Sequence, residues 1–547
     1  MATERLAEMF PTLDAAQIER LRAVGHERAV HAGEILFDQG DASAKFLVVL
    51  EGAIEVVHPY ADGEHLITVH QPGEFTGEIT VIAGMRSLVR GRARAPGLVL
   101  ELDRAALRTI VAADADLGEI LMRAFILRRT GLIQRGQGDV VLLGSRHSAG
   151  TLRVQEFLTR NYHPYTTIDV DTDPAAQALL DQFGVGIADV PVVICRGQRV
   201  LKNPSNDEVA DCLGYTAVLD AAKVHDVVVI GAGPAGLAAA VYGASEGLDV
   251  LVLESTAPGG QAGSSSKIEN YLGFPTGISG QALAARAATQ AERFGSDIAI
   301  ARTATRLVCD RRPYRIEIGA TDSVLARTVV IATCARYHKP ALESLARFEN
   351  TGVYYSATAI EARRCSNEDV IVVGGANSAG QAAVFLAHTA RTVYVLVRGK
   401  ALSATMSRYL IRRIEDTRNI KLLVETEIVA LDGRDDLERV TWLHKSTGER
   451  VTRDIGHVFM MTGASPNTEW LRGCFALDDK GFVKAGSDLT AHDLAAWPLS
   501  RPPHLFETTM PGVFAVGDVR STSVKRVASA VGEGSVCIQL VHKVLAE

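Results

Sequence analysis

At 547 residues the chain has room for about three to five domains of roughly 100–200 residues each. Apolar residues make up 47% and charged residues 22%, which excludes collagen-like, disordered and small disulfide-scaffold classes. Lys and Arg total 57 against 64 Asp and Glu, a net charge of −7 that suits solubility and argues against nucleic acid as the main partner.

The N-terminus carries early charges and no apolar signal core. A short helix is expected over 15–23. Strand-like runs then alternate with turns: EILFDQG, AKFLVVLEG, AIEVVHPYADG, HLITVHQPG, SLVRGRARA and LVLELD. Many short strands at regular turn spacing predict an antiparallel barrel or roll. One helical stretch is expected over 104–132, broken by GQGD at 136–139.

From 139 the pattern changes to strand and helix in alternation. DVVLLG, TTIDV, PVVIC and RVLK read as strands; 149–160, 174–183 and 207–213 read as helices. This predicts a small α/β unit. Val227 to Ser245 is uncharged and reaches transmembrane length, but it holds four glycines and a proline. A strand–turn–helix is expected there, not a membrane span.

That turn is Gly231-Ala232-Gly233-Pro234-Ala235-Gly236. Gly231 permits the tight turn, Gly233 lets the backbone approach a pyrophosphate, and Gly236 lets the helix pack on the strand. The helix N-terminus would then hold phosphates. Glu254, 23 residues after Gly231, stands where a ribose hydroxyl would be bound. A second unit starts at Gly374-Gly375-Ala376-Asn377-Ser378-Ala379, 143 residues after the first. Two units mean two nucleotide-binding folds. In the second, Ala376 replaces the middle glycine, and Arg398 and Lys400 stand where the ribose acid would be. A cation there favours a 2′-phosphate, hence NADPH over NADH; the alternative is a solvated basic loop. The seven cysteines lie at least 17 residues apart, so no CxxC and no metal-ligand spacing is present. An odd, scattered set fits a reducing cytosol and a cytoplasmic protein.

Residues 224–547 resemble a low-molecular-weight thioredoxin reductase. The signatures are GAGPAG, PGGQ (258–261), IEN (268–270), IAT (331–333), GGANSA, TGASPNT (462–468) and PGVFAVGD. The resemblance implies FAD contacts at Gly231, Gly233, Pro234, Ala235, Gly236, Glu254, Gly260, Gln261, Asn270, Thr333, Gly517, Asp518, Lys525, Arg526 and Val527. It implies NADPH contacts at Gly374, Ala376, Ser378, Ala379 and Arg398. It also implies hydride transfer from nicotinamide to flavin, and a homodimer. The family's redox disulfide is missing: Ser356 and Ala359 occupy the cysteine positions, and Ile360 replaces the neighbouring acid. Serine and alanine cannot form the adduct that a thiolate forms.

Residues 139–220 resemble a thioredoxin- or glutaredoxin-like fold, with Val190-Pro191 where that family carries a cis-proline. Ser145-Arg146-His147-Ser148 stands at the redox position, again without cysteine. This segment reads either as an anion- or peptide-docking loop or as part of an interdomain spacer. Residues 1–135 resemble a cyclic nucleotide-binding domain. Gly77-Glu78 and Arg86-Ser87 match its cassette, the Glu taking the ribose hydroxyl and the Arg the cyclic phosphate of cAMP or cGMP. The alternative is a barrel kept for dimer or partner contacts.

The expected architecture is therefore multidomain: a cyclic nucleotide-binding β-roll (1–135), a thioredoxin-like α/β domain (138–220) and two Rossmann-like domains. The FAD domain is split (224–340 and 466–547) around the NAD(P)H domain (341–465). The expected activity is NADPH oxidation through FAD, with a protein carrier, a quinone, a small disulfide or oxygen as acceptor. Two alternatives stay open. One is a disulfide reductase using non-motif cysteines such as Cys334, Cys365 or Cys474; the other is a non-catalytic redox sensor.

Overall fold

The computed structural model describes residues 8–41, 45–60, 63–77, 81–82, 86–134, 140–145, 148–173, 176, 189–195, 199–215, 219–265, 268, 270–337, 340, 342, 344–349, 351–355, 357, 359–403, 405–434, 436–462, 464–471 and 473–547.

The first helix, α1 (Ala15–Arg22), starts where Asp14 and Gln17 cap each other's backbone N–H groups, a reciprocal box that satisfies two otherwise orphaned donors. A β-roll of two antiparallel sheets follows. One orders His26–Val30, Gly97–Leu102 and Phe46–Glu51; the other orders Ile35–Phe37, Arg90–Ala93, Ile54–Tyr60 and Gly63–His70. Every expected strand run is present. His26–Val30 is additional: its sequence HERAV is mostly exposed and carries no apolar alternation to read.

The single helix expected over 104–132 is two helices, α2 (Arg104–Ala113) and α3 (Ala115–Gln134). The break is at Asp114, which is extended and whose carboxylate accepts from the Leu117 N–H at 3.1 Å. An aspartate in that role starts a new helix more readily than it continues an old one. Phe125 of α3 closes the roll, edge-on to Phe46 and Phe75 at 6.1 Å from each.

The central unit is a four-stranded sheet in the order Arg199–Lys202, Val192–Cys195, Val140–Gly144, Tyr165–Asp169. Its helices are α4 (Ala149–Arg160) and α5 (Asn206–Leu213). The Val190–Pro191 bond is cis. The helix expected over 174–183 and the break at 136–139 lie outside the described residues, Ala176 apart.

Beyond 224, strands Asp297–Ile300, Val250–Glu254, Val224–Ile230, Asp322–Ile331 and Val513–Ala515 pair in parallel, and Tyr314–Ile318 and Ala304–Val308 extend the sheet antiparallel. Helices α6 (Pro234–Ser245) and α7 (Gly280–Arg293) pack on it. A second, wholly parallel sheet orders Val353–Tyr354, His457–Met460, Asp369–Val373, Thr392–Leu396 and Ile420–Leu423. Helices α8 (Asn377–Leu386) and α9 (Arg408–Asp416) belong to it, and α10 (Val527–Leu545) returns to the first sheet against α6. A short antiparallel pair, Ala335–Tyr337 with Ala464–Pro466, joins the two. Four cysteines are paired, Cys195 with Cys212 and Cys309 with Cys474. The pairing is tertiary, so sequence spacing gave no sign of it. Among the described residues no helix is long and apolar enough to cross a membrane.

The β-roll docks on the first sheet's helices through α2. Arg108 reaches Asp297 at 3.2 Å and the Ser296 carbonyl at 3.3 Å, and Arg104 reaches Asp297 at 3.5 Å. Glu292 of α7 sits in this interface, facing Arg108, Arg104, Asp297 and Arg129, and burial pushes its carboxyl up to about 7 from an ordinary 4.5. A carboxyl held above its unfolded value favours the folded state while protonated, and that contribution is lost as pH rises through about 7. Thermal stability is therefore expected to fall between about pH 5 and about pH 8. Glu292→Gln should flatten that part of the profile, as a melting series across pH would record.

Candidate functional site

The strand Val224–Ile230 is buried over its last four residues and ends at Gly231, whose φ is 102°. A Cβ there would lie 2.4 Å from the Ala332 carbonyl, and one on Gly236 would lie 1.9 Å from the Gly231 carbonyl. Both positions require glycine for the loop to close against the neighbouring strand and helix. At Gly233 a Cβ would meet only the Gly260 Cα, at 4.0 Å, so this face is open at the N-terminus of α6. Pro234 stands in the first turn of that helix and Ala235 is buried behind it. The arrangement fits an anion such as a pyrophosphate.

Glu254 ends the next strand, 8% exposed. Its carboxylate accepts from the N–H groups of Ala232 at 2.8 Å, Thr256 at 2.9 Å and Ala257 at 3.2 Å. A carboxylate offers about four acceptor positions, so one remains for a ribose hydroxyl. The structure thus adds a role that spacing did not reveal: Glu254 straps the glycine loop to the segment after it. Gly259 repeats the tie, its N–H donating to the Ala232 carbonyl at 2.7 Å. Gly260 and Gln261 open a one-turn helix, and Gln261 donates to the Ala335 carbonyl at 2.8 Å. Asn270 is exposed beyond the Ile268–Ile278 bridge.

On the opposite side, Thr333 donates to the Asn467 carbonyl at 3.0 Å, and the Gly517 N–H donates to Glu533 at 2.7 Å. Burial raises the Asp518 carboxyl, opposed by the charge of Lys525. Lys525 donates to the Asp518 carbonyl and to Ser523, both at 2.6 Å, and lies 4.5 Å from the Phe482 ring centre; burial lowers its ammonium. Arg526 caps α10 with extended backbone and Val527 begins it. Cys334, next to Thr333, has φ 59°, and burial pushes its thiol up to about 11. It belongs to this site, although the IAT motif stops one residue short of it.

In the second cradle Gly374 has φ 147°, and a Cβ on it would lie 2.3 Å from the Met461 carbonyl. Ala376 caps α8, whose first turn holds Ser378 and the buried Ala379. The loop is pinned from above by residues that the motif does not include. Thr405 donates to the Gly375 carbonyl at 2.6 Å, and the Ser407 N–H donates to Asn377 at 2.8 Å. Arg398 and Lys400 are exposed past the strand Thr392–Leu396.

Two described residues beside the expected redox position, Tyr354 and Ala357, are packed into protein. Tyr354 stacks on His457 at 6.0 Å and tilts on Phe459 at 5.2 Å, and Ala357 is buried in the same cluster. Ser356 lies outside the described residues, and Ala359 begins a short helix to Arg364. Cys365 is buried and unpaired; its thiol donates to the Glu361 carbonyl at 3.2 Å and is pushed up to about 12 by burial. Cys474 is bonded to Cys309 on the first sheet's core, so it is not a free thiol.

The β-roll holds a partly open cavity of about 70 Å³ lined by Phe37, Ile67, Val89 and Leu132 together with Gly77 and Ser87. Ser87 donates to the Val89 carbonyl at 2.9 Å. Glu78 lies outside the described residues. Arg86 donates to the Gly40 carbonyl at 3.3 Å and its stem lies against Gly214 of the central unit, where a Cβ would fall 2.4 Å from Nε. The expected phosphate arginine therefore rests on a neighbouring domain. Arg128 lines the cavity instead, donating to the carbonyls of Met9, Phe75 and Gly77 at 2.9, 3.1 and 2.7 Å. The same helix also carries Arg123 and the adjacent Arg129, so the sequence did not single Arg128 out.

The family model described as Pyridine nucleotide-disulphide oxidoreductase matches residues 225–534, and that described as Cyclic nucleotide-binding domain matches residues 27–114. The chain is 32% identical over 312 residues to a thioredoxin reductase of Mycolicibacterium smegmatis, covering 57% of this chain and 93% of that one. It is 29% identical over 317 residues to a thioredoxin reductase of Mycoplasmopsis pulmonis, covering 57% and 95%. The crystal structure of Lactococcus lactis thioredoxin reductase (FR conformation) superimposes with a TM-score of 0.52 at 27% identity, over 59% of this chain and 99% of that one. With both dinucleotide cradles inside the matched residues, the chain belongs to the pyridine nucleotide-disulphide oxidoreductase family and carries an N-terminal cyclic nucleotide-binding domain.

Proposed function

We propose that the protein is an FAD-dependent NADPH oxidoreductase whose electrons leave by a route other than a CxxC dithiol. The observation that carries the reading is the pairing of two built dinucleotide cradles with a segment at 354–360 that holds no cysteine and whose Tyr354 and Ala357 lie in the apolar core. Bound in the first cradle, FAD would supply two-electron chemistry, accepting a hydride from the reduced nicotinamide. The residues of the chain bind and orient. The N-terminus of α6 would hold the pyrophosphate and Glu254 the ribose, with Asp518 standing before α10. In the second cradle the N-terminus of α8 would hold the nicotinamide dinucleotide, and the exposed Arg398 would meet a 2′-phosphate, which favours NADPH.

The acceptor under this proposal is a protein carrier, a quinone, a small disulfide or oxygen. The central unit acts as a thioredoxin-like spacer. Ser145 donates to Asp171 at 2.6 Å and Ser148 caps α4, so both hydroxyls at the former redox position serve the fold. A cyclic nucleotide, cAMP or cGMP, would bind the roll's cavity as an effector, and its phosphate would have to draw Arg86 off Gly214. A homodimer fits the exposed apolar side chains Tyr242, Leu272 and Val524 on the flavin side, 46%, 93% and 56% exposed.

Anaerobic titration of the purified yellow protein should bleach the flavin stoichiometrically with NADPH. Failure of both NADPH and NADH to bleach it would sink the oxidoreductase reading. Arg398→Ala should raise the KM for NADPH about tenfold with little change for NADH in steady-state assays. The competing disulfide-reductase reading draws on Cys334 beside the flavin site and on the Cys309–Cys474 pair. A variant lacking all seven cysteines should retain NADPH-driven bleaching and reduction of an artificial acceptor; loss of acceptor reduction alone would favour the competing reading.

A further inference from the structure

The C-terminal turn of α4, in the central unit, lies on the segment that follows Glu254. Asn161, 7% exposed, donates through Nδ2 to the Thr256 carbonyl at 3.1 Å and to the Phe157 carbonyl of its own helix at 2.9 Å. Arg160 donates through Nη2 to the Gly260 carbonyl at 3.1 Å. From the other side, Gln281 of α7 donates to the Thr159 carbonyl at 2.8 Å. Arg129 of α3 fixes the turn from the β-roll, donating to the Tyr162 carbonyl at 3.0 Å.

The two carbonyls that the turn grips are not arbitrary. Thr256 is the residue whose N–H donates to Glu254, and Glu254 in turn holds the Ala232 N–H of the glycine loop. Gly260 is the residue whose backbone faces Gly233; a Cβ on it would lie 3.0 Å from the Gly233 Cα. Fixing these carbonyls fixes both the ribose acid and the open face of the pyrophosphate loop. A guanidinium donating to a carbonyl is a charge-assisted bond and among the stronger neutral-acceptor contacts. Both residues precede 225, where the family match begins, so the family's own fold does not supply them.

We propose that Arg160 and Asn161 are positioning residues of the FAD site, and that FAD affinity depends on the central unit being docked. The proposal rests on the flavoprotein reading above. It gives the central unit, whose expected redox position 145–148 carries no cysteine, a task that needs no thiol.

The test is FAD affinity of the full chain, measured by quenching of flavin fluorescence on titrating FAD into apoprotein. Arg160→Met keeps the stem and removes the donor; Asn161→Asp keeps the shape and turns an acceptor towards the Thr256 carbonyl. Each should weaken FAD about tenfold, with Arg160→Lys recovering most of the loss. A structural role alone would not be rescued by lysine. If the wild type binds FAD and the variants, equally folded by circular dichroism, bind it as tightly, the proposal is overturned. If the wild type itself binds no FAD, the flavoprotein reading falls and takes this one with it. Should Asn161→Asp fail to fold, the Met and Lys pair at 160 decides the question alone.

Discussion

The flavin half of the molecule turns on one carboxylate. Glu254 gathers three backbone N–H groups from two chain segments, and hydrogen bonds to a charged acceptor are worth about 1.5–3 kcal/mol each when buried. The glycine loop has little to hold itself: three of its six residues, Gly231, Gly233 and Gly236, have no side chain to pack, and glycine costs the most entropy to order. The carboxylate supplies the missing order. The sheet positions Glu254 by burying the strand that carries it, and α6, the 256–260 segment and the turn of α4 then follow from where it stands.

The second half is built on a similar plan with different fastenings. Gly374 needs its close approach to the Met461 carbonyl, but the loop is tied down by Thr405 and Asn377, not by an acid. Between the halves, the stretch around Tyr354 has been given over to aromatic packing. A dithiol needs access to the flavin and to a partner, whereas a packed cluster needs neither. Here Tyr354 and Ala357 are part of that core, and no cysteine lies between 335 and 364.

Much of this was legible beforehand. Strand, glycine loop and helix are local patterns, so both cradles and every strand of the β-roll except one could be read from period and punctuation. His26–Val30 escaped because its residues are mostly polar and pair only with Gly97–Leu102. The break at Asp114 escaped because an aspartate inside an apolar periodic run looks like a solvated face until its cap is seen. The Cys195–Cys212 and Cys309–Cys474 pairs escaped because they are made by folding. Arg86 matched its motif, yet its side chain went to Gly214, a partner 128 residues away that no local pattern could name. Arg160 and Asn161 end an ordinary amphipathic helix, and only the packing of one domain on another shows what they touch.

The contact between Arg86 and Gly214 has a thermodynamic consequence. The arginine lies at the C-terminal end of α5, where backbone carbonyls concentrate negative potential, and the same guanidinium is the group that a cyclic phosphate would claim. It could not serve both at once, so on the proposed reading the phosphate and the helix end would compete for one cation. The unit that holds α5 also grips Thr256 and Gly260. Linkage is reciprocal: whatever factor an N-terminal ligand imposes on dinucleotide affinity through this unit, the dinucleotide imposes on that ligand. On the proposed reading the middle domain would be a balance arm, loaded at one end by the effector and at the other by the cofactor.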